Sequence, residues 1–130
     1  MKFPYVRYEV FHKPVLPVIF KYQGKSFPYQ ALLDTGADIS IVHADIAIQL
    51  GINQEKGEKF LFGGVCGQGN GYLYKIDLEI GGMIVENVPV IFSNDIAPYS
   101  FGILGHEGLL DKFKVVFEFH KKQFELIPKQ

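Results

Sequence analysis

The sequence is short of several residue types that define common functional classes. It has 130 residues, no tryptophan and one cysteine, Cys66, so an internal disulfide and a cysteine-based zinc site are excluded. The four histidines are widely spaced and form no HxH or HxxxH pair, so the sequence predicts neither a metal nor another cofactor. The formal net charge is −1 and the basic residues are scattered, so no nucleic-acid partner is expected.

Long hydrophobic runs are also missing. No apolar run approaches the roughly 20 residues that a membrane helix needs, so we expect no membrane partner. Residues 1–11 carry charges throughout and lack the apolar centre of a secretion signal. A reducing cytoplasm is therefore the expected location.

The residues that are abundant favour strands. Hydrophobic residues make up 48% of the chain and aromatic residues 15%, mostly Phe and Tyr, which predicts a packed core built from β-strands. Fourteen glycines and seven prolines interrupt the sequence often, as in a domain of short strands. The length suits a single domain over residues 1–130.

Local patterns predict a mainly β fold, either a barrel or a closed sandwich, with two short helices. The predicted strands are 3–11, 15–22, 26–34, 72–80, 83–93 and a terminal hairpin at 114–127. Helices are predicted at 43–51 and 105–113. A long glycine-rich hairpin is predicted at 59–81, and Gly81 and Gly82 end its second strand with a turn.

The stretch "ALLDTGADIS", residues 31–40, places an acidic residue where the pattern predicts a core strand. Asp and Gly are turn residues, so an ordinary turn is one interpretation. However, Asp34 follows three apolar residues, and a carboxylate that starts from a core must be paired, hydrogen-bonded or protonated. The segment then returns to apolar residues, so Asp34 is predicted on a loop fixed between two core strands, which is a rigid place for chemistry.

The segment "ALLDTGADISIV" resembles the active-site loop of single-lobe aspartic proteases of the retropepsin type. "GILGHEGLLDKF", residues 102–113, resembles the second signature of that family, and the glycine-rich hairpin between the two stands where the family carries its flap. The resemblance covers residues 15–127. It implies a small closed β-barrel of the acid-protease type, with one or two short helices and a flap hairpin.

The chemistry implied by this resemblance needs two carboxyl groups. Peptide hydrolysis without a metal or a nucleophile uses one carboxyl to activate water and another to protonate the carbonyl oxygen, and two carboxyls about 3 Å apart share one proton. The chain has a single Asp-Thr-Gly, so the second carboxyl must come from a second copy across a two-fold axis. The resemblance therefore implies a homodimeric aspartic endopeptidase that binds an extended peptide.

The resemblance also implies roles for the neighbours of Asp34. Thr35 would hydrogen-bond across the dimer axis, and Gly36 would allow the loops and the substrate to approach closely. Ala37 and Asp38 would border the substrate, although an Asx contact that stabilises the turn is an equal alternative for Asp38. Further substrate contacts are implied for Gly63, Gly64, Val65, Ile103 and Leu104.

Cys66 and His106 have two interpretations each. Cys66, near the predicted flap tip, is either a small apolar filler or an oxidisable thiol. Viral members of the family usually carry Arg where this chain has His106, so His106 either pairs with Asp38 when protonated or is a structural histidine. The next residue, Glu107, is interpreted as an acid at the start of a helix, where the helix dipole favours a negative charge.

The sequence leaves other functions open. The same fold could serve as a dimerisation or peptide-binding module with little turnover, although a pure scaffold gains nothing from a buried pair of carboxyls. A metal site at Asp34 and Asp38 lacks sufficient ligands. The natural substrate, and a viral, retroelement or free-standing cellular origin, are not determined by the sequence.

Overall fold

The chain folds mainly into β-strands, and the computed structural model describes residues 1–64, 67–97 and 100–129. The strands there are β1 (Lys2–Pro4), β2 (Val6–Tyr8), β3 (Phe11–Lys13), β4 (Val15–Tyr22), β5 (Lys25–Leu33), β6 (Ser40–His43), β7 (Glu58–Gly64), β8 (Gly67–Ile80), β9 (Met83–Ser93), β10 (Gly102–Leu104), β11 (Phe113–Glu118) and β12 (Gln123–Pro128). Helix α1 spans Ala44–Gln49, and 3-10 turns lie at Gln54–Lys56, Leu110–Lys112 and Phe119–Lys121.

Six strands close into a barrel in the order β4-β5-β10-β6-β9-β8, and β8 pairs again with β4. Two of the neighbouring pairs are parallel, namely β5 with β10 and β6 with β9. Strand β7 pairs with β8 outside the closed ring and forms the glycine-rich hairpin with it. The structure thus confirms the mainly β closed barrel that the sequence predicts.

Alternating side chains fill the barrel. In β8 the side chains of Ile76, Leu78 and Ile80 are buried, whereas Asp77 and Glu79 between them reach solvent. This is the two-residue period of a strand with one face on a core, so the predicted strand at 72–80 is confirmed. Phe20, Phe92 and Phe124 are the largest fully buried side chains. Each contributes about 2 kcal/mol by leaving water.

The N-terminal segment differs from its prediction. Residues 3–11 do not form one strand but three short pieces, β1, β2 and the start of β3, because Glu9 at φ 57° turns the chain between β2 and β3. A positive φ at Glu is uncommon, so composition gives no warning of this turn. Strand β1 instead pairs with β12 in the sheet β1-β12-β11.

The helical segments are short. Helix α1 confirms the helix predicted at 43–51, and the His43 ring caps it by accepting a hydrogen bond from the Asp45 N–H at 3.0 Å. The helix predicted at 105–113 is wrong: turns occupy most of it, because Gly108 adopts φ 71° and interrupts a helical path. In the described part of the chain no helix has the length and apolar character to cross a membrane.

Candidate active site

Asp34 is the first residue after β5, at an end of the barrel. The parallel pairing of β5 with β10 sets Leu33 beside Leu104, and the next N–H, that of Asp34, donates to the Leu104 carbonyl at 3.1 Å. The Asp34 side chain is half-buried. The strand pair therefore delivers this carboxyl to a fixed point at the rim of the core.

Hydrogen bonds within the Asp34–Ala37 turn orient the carboxyl. The Gly36 N–H donates to Asp34 Oδ1 at 2.9 Å, and the Ala37 N–H donates to the Asp34 carbonyl at 3.1 Å. A Cβ on Gly36 would lie 3.3 Å from Asp34 Oδ1, so glycine leaves the room that this contact uses. Thr35 and Gly36 form the exposed tip of the loop.

The segment after β10 supports this loop from behind. The Gly105 N–H donates to Oγ of the buried Ser40 at 3.0 Å. Gly105 also packs so closely that a Cβ there would lie 2.6–2.8 Å from backbone atoms of Ile39. Further along, the His106 N–H donates to the Ala37 carbonyl at 3.0 Å. The loop is thus bound along its length by residues that are adjacent to it in space but distant from it in sequence.

Two further contacts bind the loop at Asp38 and at its tip. The Glu107 N–H donates to the Asp38 carbonyl at 2.8 Å, and the His106 ring Nε2 lies 2.5 Å from the Thr35 carbonyl. A carbonyl accepts only, so His106 Nε2 carries the hydrogen, which both the neutral ring and the imidazolium allow. His106 therefore holds the loop as a structural histidine.

Of the two interpretations of His106, the structure does not have the pairing with Asp38. Its backbone bond to Ala37 places the ring beside Thr35, and no His106–Asp38 ion pair occurs among residues 1–64, 67–97 and 100–129. Glu107 likewise lies in a turn rather than at the start of a helix. The His106 contact to a main-chain oxygen depends on spatial neighbours that the sequence pattern does not reveal.

A groove of about 820 Å³ opens beside the Asp34 carboxyl, between the loop, the glycine-rich hairpin and the 95–103 segment. Its wall is largely apolar, with contributions from Leu32, Ile39, Ile41, Phe60, Phe62 and Ile103. Its carboxyl groups belong to Asp34, Asp38, Asp95 and Glu107, and its cation is Lys13. A concave, mostly apolar site with a few polar groups is the usual form of a binding site.

One wall of the groove is held by a half-buried tyrosine. The Tyr29 hydroxyl donates to the Ser100 carbonyl at 2.7 Å, and Ser100 lines the groove. Burial, and then the negative charge of Asp45, raise the pKa of Tyr29 above its ordinary value. The hydroxyl therefore stays protonated, and remains a donor to Ser100, throughout the neutral range.

The structure brings together most of the residues that the sequence singles out. Those lining the groove are Asp34, Gly36, Ala37, Asp38, Gly63 and Ile103. Three others do not line it. The Thr35 carbonyl faces the His106 ring, and Gly64 is the last residue of β7. Leu104 is fully buried and contributes only its carbonyl, which accepts from the Asp34 N–H. Val65 and Cys66 lie outside the described residues, so their predicted roles stay predictions.

The sequence pattern does not indicate the groove wall formed by residues 95–97 and 100–101. Asp95, Ile96 and Phe101 line the groove, and Phe60 and Phe62 line it from the hairpin. Alternation in β7 could have indicated the two phenylalanines, since they stand two residues apart around an exposed Leu61. No local pattern indicates Asp95, which reaches the groove only through the fold.

Acidic and histidine side chains do not gather as metal ligands here. Across the three described ranges, no group of three or more His, Cys, Asp or Glu side chains has the arrangement to hold a metal ion. The carboxyl of Asp34 is instead engaged by the Gly36 amide. What the loop offers chemically is one oriented carboxyl at the floor of a groove.

Comparison with known proteins agrees with this geometry. The sequence matches a protein-family model described as "gag-polyprotein putative aspartyl protease" over residues 20–110, which is more than half of the chain. The chain therefore belongs to this family of retropepsin-like aspartic proteases. The matched range contains the Asp34 loop, the hairpin and the segment after β10.

The fold is also similar to that of a solved protease. EIAV protease, in a structure "complexed with the inhibitor HBY-793", superimposes with a TM-score of 0.55 and 25% sequence identity, covering 82% of this chain and 93% of that one. The likeness thus extends over nearly the whole of the viral protein. A comparison with curated proteins found no match.

Proposed function

We propose that the chain is a homodimeric aspartic endopeptidase in which the Asp34 carboxyls of two copies form the catalytic pair. The observation that carries the proposal is the oriented Asp34 carboxyl, fixed by Gly36 and Leu104 at the floor of a groove. Each chain supplies one Asp-Thr-Gly, whereas the acid and the base of this chemistry are two carboxyls. The exposed Thr35 and Gly36 tip is where a second copy would approach.

In the proposed mechanism the two carboxyls share one proton. The ionised carboxyl removes a proton from water, and the resulting nucleophile attacks the peptide carbonyl carbon. The protonated carboxyl gives its proton to the carbonyl oxygen, which completes the tetrahedral intermediate. The first carboxyl then passes the proton that it took from water to the amide nitrogen, the second takes a proton back from a hydroxyl of the intermediate, and the C–N bond breaks to release acid and amine. No metal or other cofactor takes part in these steps, because the paired carboxyls supply both the acid and the base.

The proposed substrate is an extended peptide. Exposed backbone of the hairpin and of the Asp34 loop can pair with it as with an added strand, and the apolar wall would take apolar side chains. The family membership and the likeness to EIAV protease support peptide hydrolysis as the activity. The cytoplasmic location expected from the sequence stays a prediction.

The experiment that tests the proposal mixes wild type with Asp34→Asn. Asn is nearly isosteric and can accept the Gly36 hydrogen bond, so the variant should fold and dimerise, but it should lose at least about 1000-fold in cleavage of a peptide library. After subunit exchange at equal amounts, about a quarter of dimers keep two Asp34 residues, so activity per wild-type chain should fall to about half.

The control mixture uses Asp45→Asn, an exposed carboxyl on α1. It should leave activity per wild-type chain unchanged. Full activity in the Asp34→Asn mixture would mean that each chain carries a complete site, which contradicts the paired mechanism. A wild type that binds library peptides and cleaves none would instead support the peptide-binding module.

The shared proton also predicts the pH dependence of cleavage. The rate should be bell-shaped and lie on the acidic side, because the pair loses its base when doubly protonated and its acid when doubly ionised. The measurement is kcat/KM against pH for one peptide. A constant value from acid to alkaline pH, or loss of activity with a chelator, would require different chemistry.

A further inference from the structure

The glycine-rich hairpin leaves the barrel at a definite point. Strand β8 pairs with β9 from Ile80 as far as Tyr72, which lies opposite Phe92. Beyond Tyr72, residues 67–71 of β8 pair with β7 only, as the outer arm of the hairpin. The hairpin therefore projects from the barrel as a two-stranded ribbon, and such a ribbon is marginally stable by itself.

Two side chains from the end of β9 bind this arm where the ladder stops. Ser93 Oγ donates to the Asn70 carbonyl at 2.6 Å, and Asp95 Oδ2 accepts from the Asn70 N–H at 2.9 Å. The Asp95 N–H also donates to Ser93 Oγ at 3.0 Å, which ties the two side chains together. Side chains thus satisfy both main-chain groups of Asn70 in place of a strand.

The packing around Asn70 is tight on the side of the groove. A Cβ on the neighbouring Gly69 would lie 2.7 Å from Phe62 Cζ and 2.8 Å from Asp95 Cβ. Phe62 and Asp95 both line the groove beside Asp34. The contact at Asn70 therefore joins the arm of the hairpin to the groove wall, and Ser93, at 1% exposure, is a rigid base for it.

We propose that Asp95 and Ser93 are positioning residues that fix the hinge of the hairpin at Asn70 and so set its height above Asp34. Gly71 packs against the Phe92 backbone, so without the bonds at Asn70 the arm before Gly71 would be free to move away from the barrel. With Asn70 bound, the part of the described β8 arm that can move is limited to residues 67–69. The consequence for catalysis rests on the proposed function, but the hinge itself is a property of the fold.

The test is amide hydrogen exchange of wild type, Asp95→Ala and Asp95→Asn at equal chain concentration. In Asp95→Ala the amides of residues 67–70 should exchange on the order of tenfold faster, since a hydrogen bond to a charged acceptor is lost. Asp95→Asn keeps an acceptor for the Asn70 N–H and should show a smaller increase. Ser93→Ala should act in the same direction by removing the donor to the Asn70 carbonyl.

Asp77→Ala is the matched control. Asp77 Oδ1 accepts from the Asn87 N–H at 3.0 Å, the same kind of bond at the register shift within the β8–β9 pair. This variant should speed exchange at Asn87 and leave residues 67–70 unchanged. Unchanged exchange at Asn70 in Asp95→Ala, or equal acceleration there in Asp77→Ala, would overturn the proposal.

Activity provides the second readout. Asp95→Ala should raise KM for a library peptide several-fold, Asp95→Asn should raise it less, and Asp77→Ala should match wild type. An increase in KM without faster exchange at Asn70 would assign Asp95 a direct effect on the substrate and would also overturn the hinge. If wild type cleaves no peptide, the proposed function fails, while hydrogen exchange still decides whether Asn70 is the hinge.

Discussion

The Asp34 loop and the glycine-rich hairpin face each other across the groove, and they differ in how much of each is bound to the barrel. The Asp34 loop is bound at Asp34, Ala37 and Asp38 by the chain from Leu104 to Glu107. In the hairpin, the described arm beyond Tyr72 is bound to the rest of the barrel through Asn70 and through the packing of Gly71 on Phe92 and of Gly69 on Asp95. One side of the groove is thus fixed along its length and the other at its base.

This difference matches the demands of the two sides in the proposed reaction. A carboxyl that exchanges protons must stay within hydrogen-bond reach of its partners, so its support has to be continuous. A cover over an extended peptide must open to admit it, so support at the base alone is sufficient. Substitutions at the supporting contacts should therefore cost more stability beneath the loop than in the hairpin.

The largest effect is expected from Gly105→Ala. The new Cβ would meet backbone atoms of Ile39 at 2.6–2.8 Å, and backbone cannot rotate away as a side chain can. We expect a loss of about 3 kcal/mol in the free energy of unfolding, measured by urea denaturation. Gly63→Ala is the control, because among the residues that the structure describes its Cβ meets only Gln68 Cγ, at 3.5 Å. Equal losses in both variants would remove the crowding argument.

Ser40→Ala should have the next largest effect. It deletes the acceptor of the Gly105 N–H in a buried site, so the amide loses its partner without access to water. The expected loss is about 2 kcal/mol in the free energy of unfolding, measured in the same way. Ser26→Ala, at an exposed position of β5, is the matched control and should change stability little. A Ser40→Ala protein as stable as that control would show that this support is dispensable.

Gly69→Ala tests the hairpin side of the comparison. The clash distances are as short as those at Gly105, but Phe62 Cζ is the far end of a side chain that can rotate, and Asp95 Cβ belongs to an exposed bend rather than to a strand of the core. We expect a loss of only about 1 kcal/mol in the free energy of unfolding. Peptide cleavage should suffer more than stability, because both side chains line the groove. A loss larger than that of Gly105→Ala would reverse the comparison.

His106→Ala should have the smallest effect on stability. The ring is exposed, and its loss frees one carbonyl, that of Thr35, to bind water instead. We expect a change of about 0.5 kcal/mol in the free energy of unfolding. The dimer dissociation constant should rise more clearly, because Thr35 lies at the tip proposed to meet the second copy. His106→Gln, which retains an N–H donor, should recover part of the affinity, and His120→Ala, an exposed histidine in a distant turn, should change neither quantity.

The parts of the fold that the sequence predicts are those with a local cause. The alternation of Ile76, Leu78 and Ile80 predicts β8, and Gly81 and Gly82, both at positive φ, predict the turn that follows. The Asp34 loop is also predictable, because three apolar residues before an acid restrict where that acid can lie. Each of these inferences uses residues within one turn or strand of one another.

The parts that the sequence does not predict depend on contacts between distant segments. Strand β1 separates from the rest of residues 3–11 because it pairs with β12 at the other end of the chain, and no local pattern indicates this pairing. The segment after Gly105 has helical spacing but is drawn into turns by its bonds to Ser40, Ala37 and Asp38. Asp95 reaches the groove for the same kind of reason, as a side chain that replaces a missing strand at Asn70.

The pairing of β5 with β10 affects the rate of folding as well as the shape of the site. Thr35 and the His106 ring that holds it are 71 positions apart in the chain. Closing so long a segment costs entropy before any contact offsets it, and such pairings form slowly. During synthesis the Asp-Thr-Gly segment emerges well before the residues that bind it, so for that interval it lacks their hydrogen bonds. The Asp34 loop therefore lacks its supporting contacts until the C-terminal third of the chain has joined the barrel, and the proposed chemistry requires in addition a second folded copy.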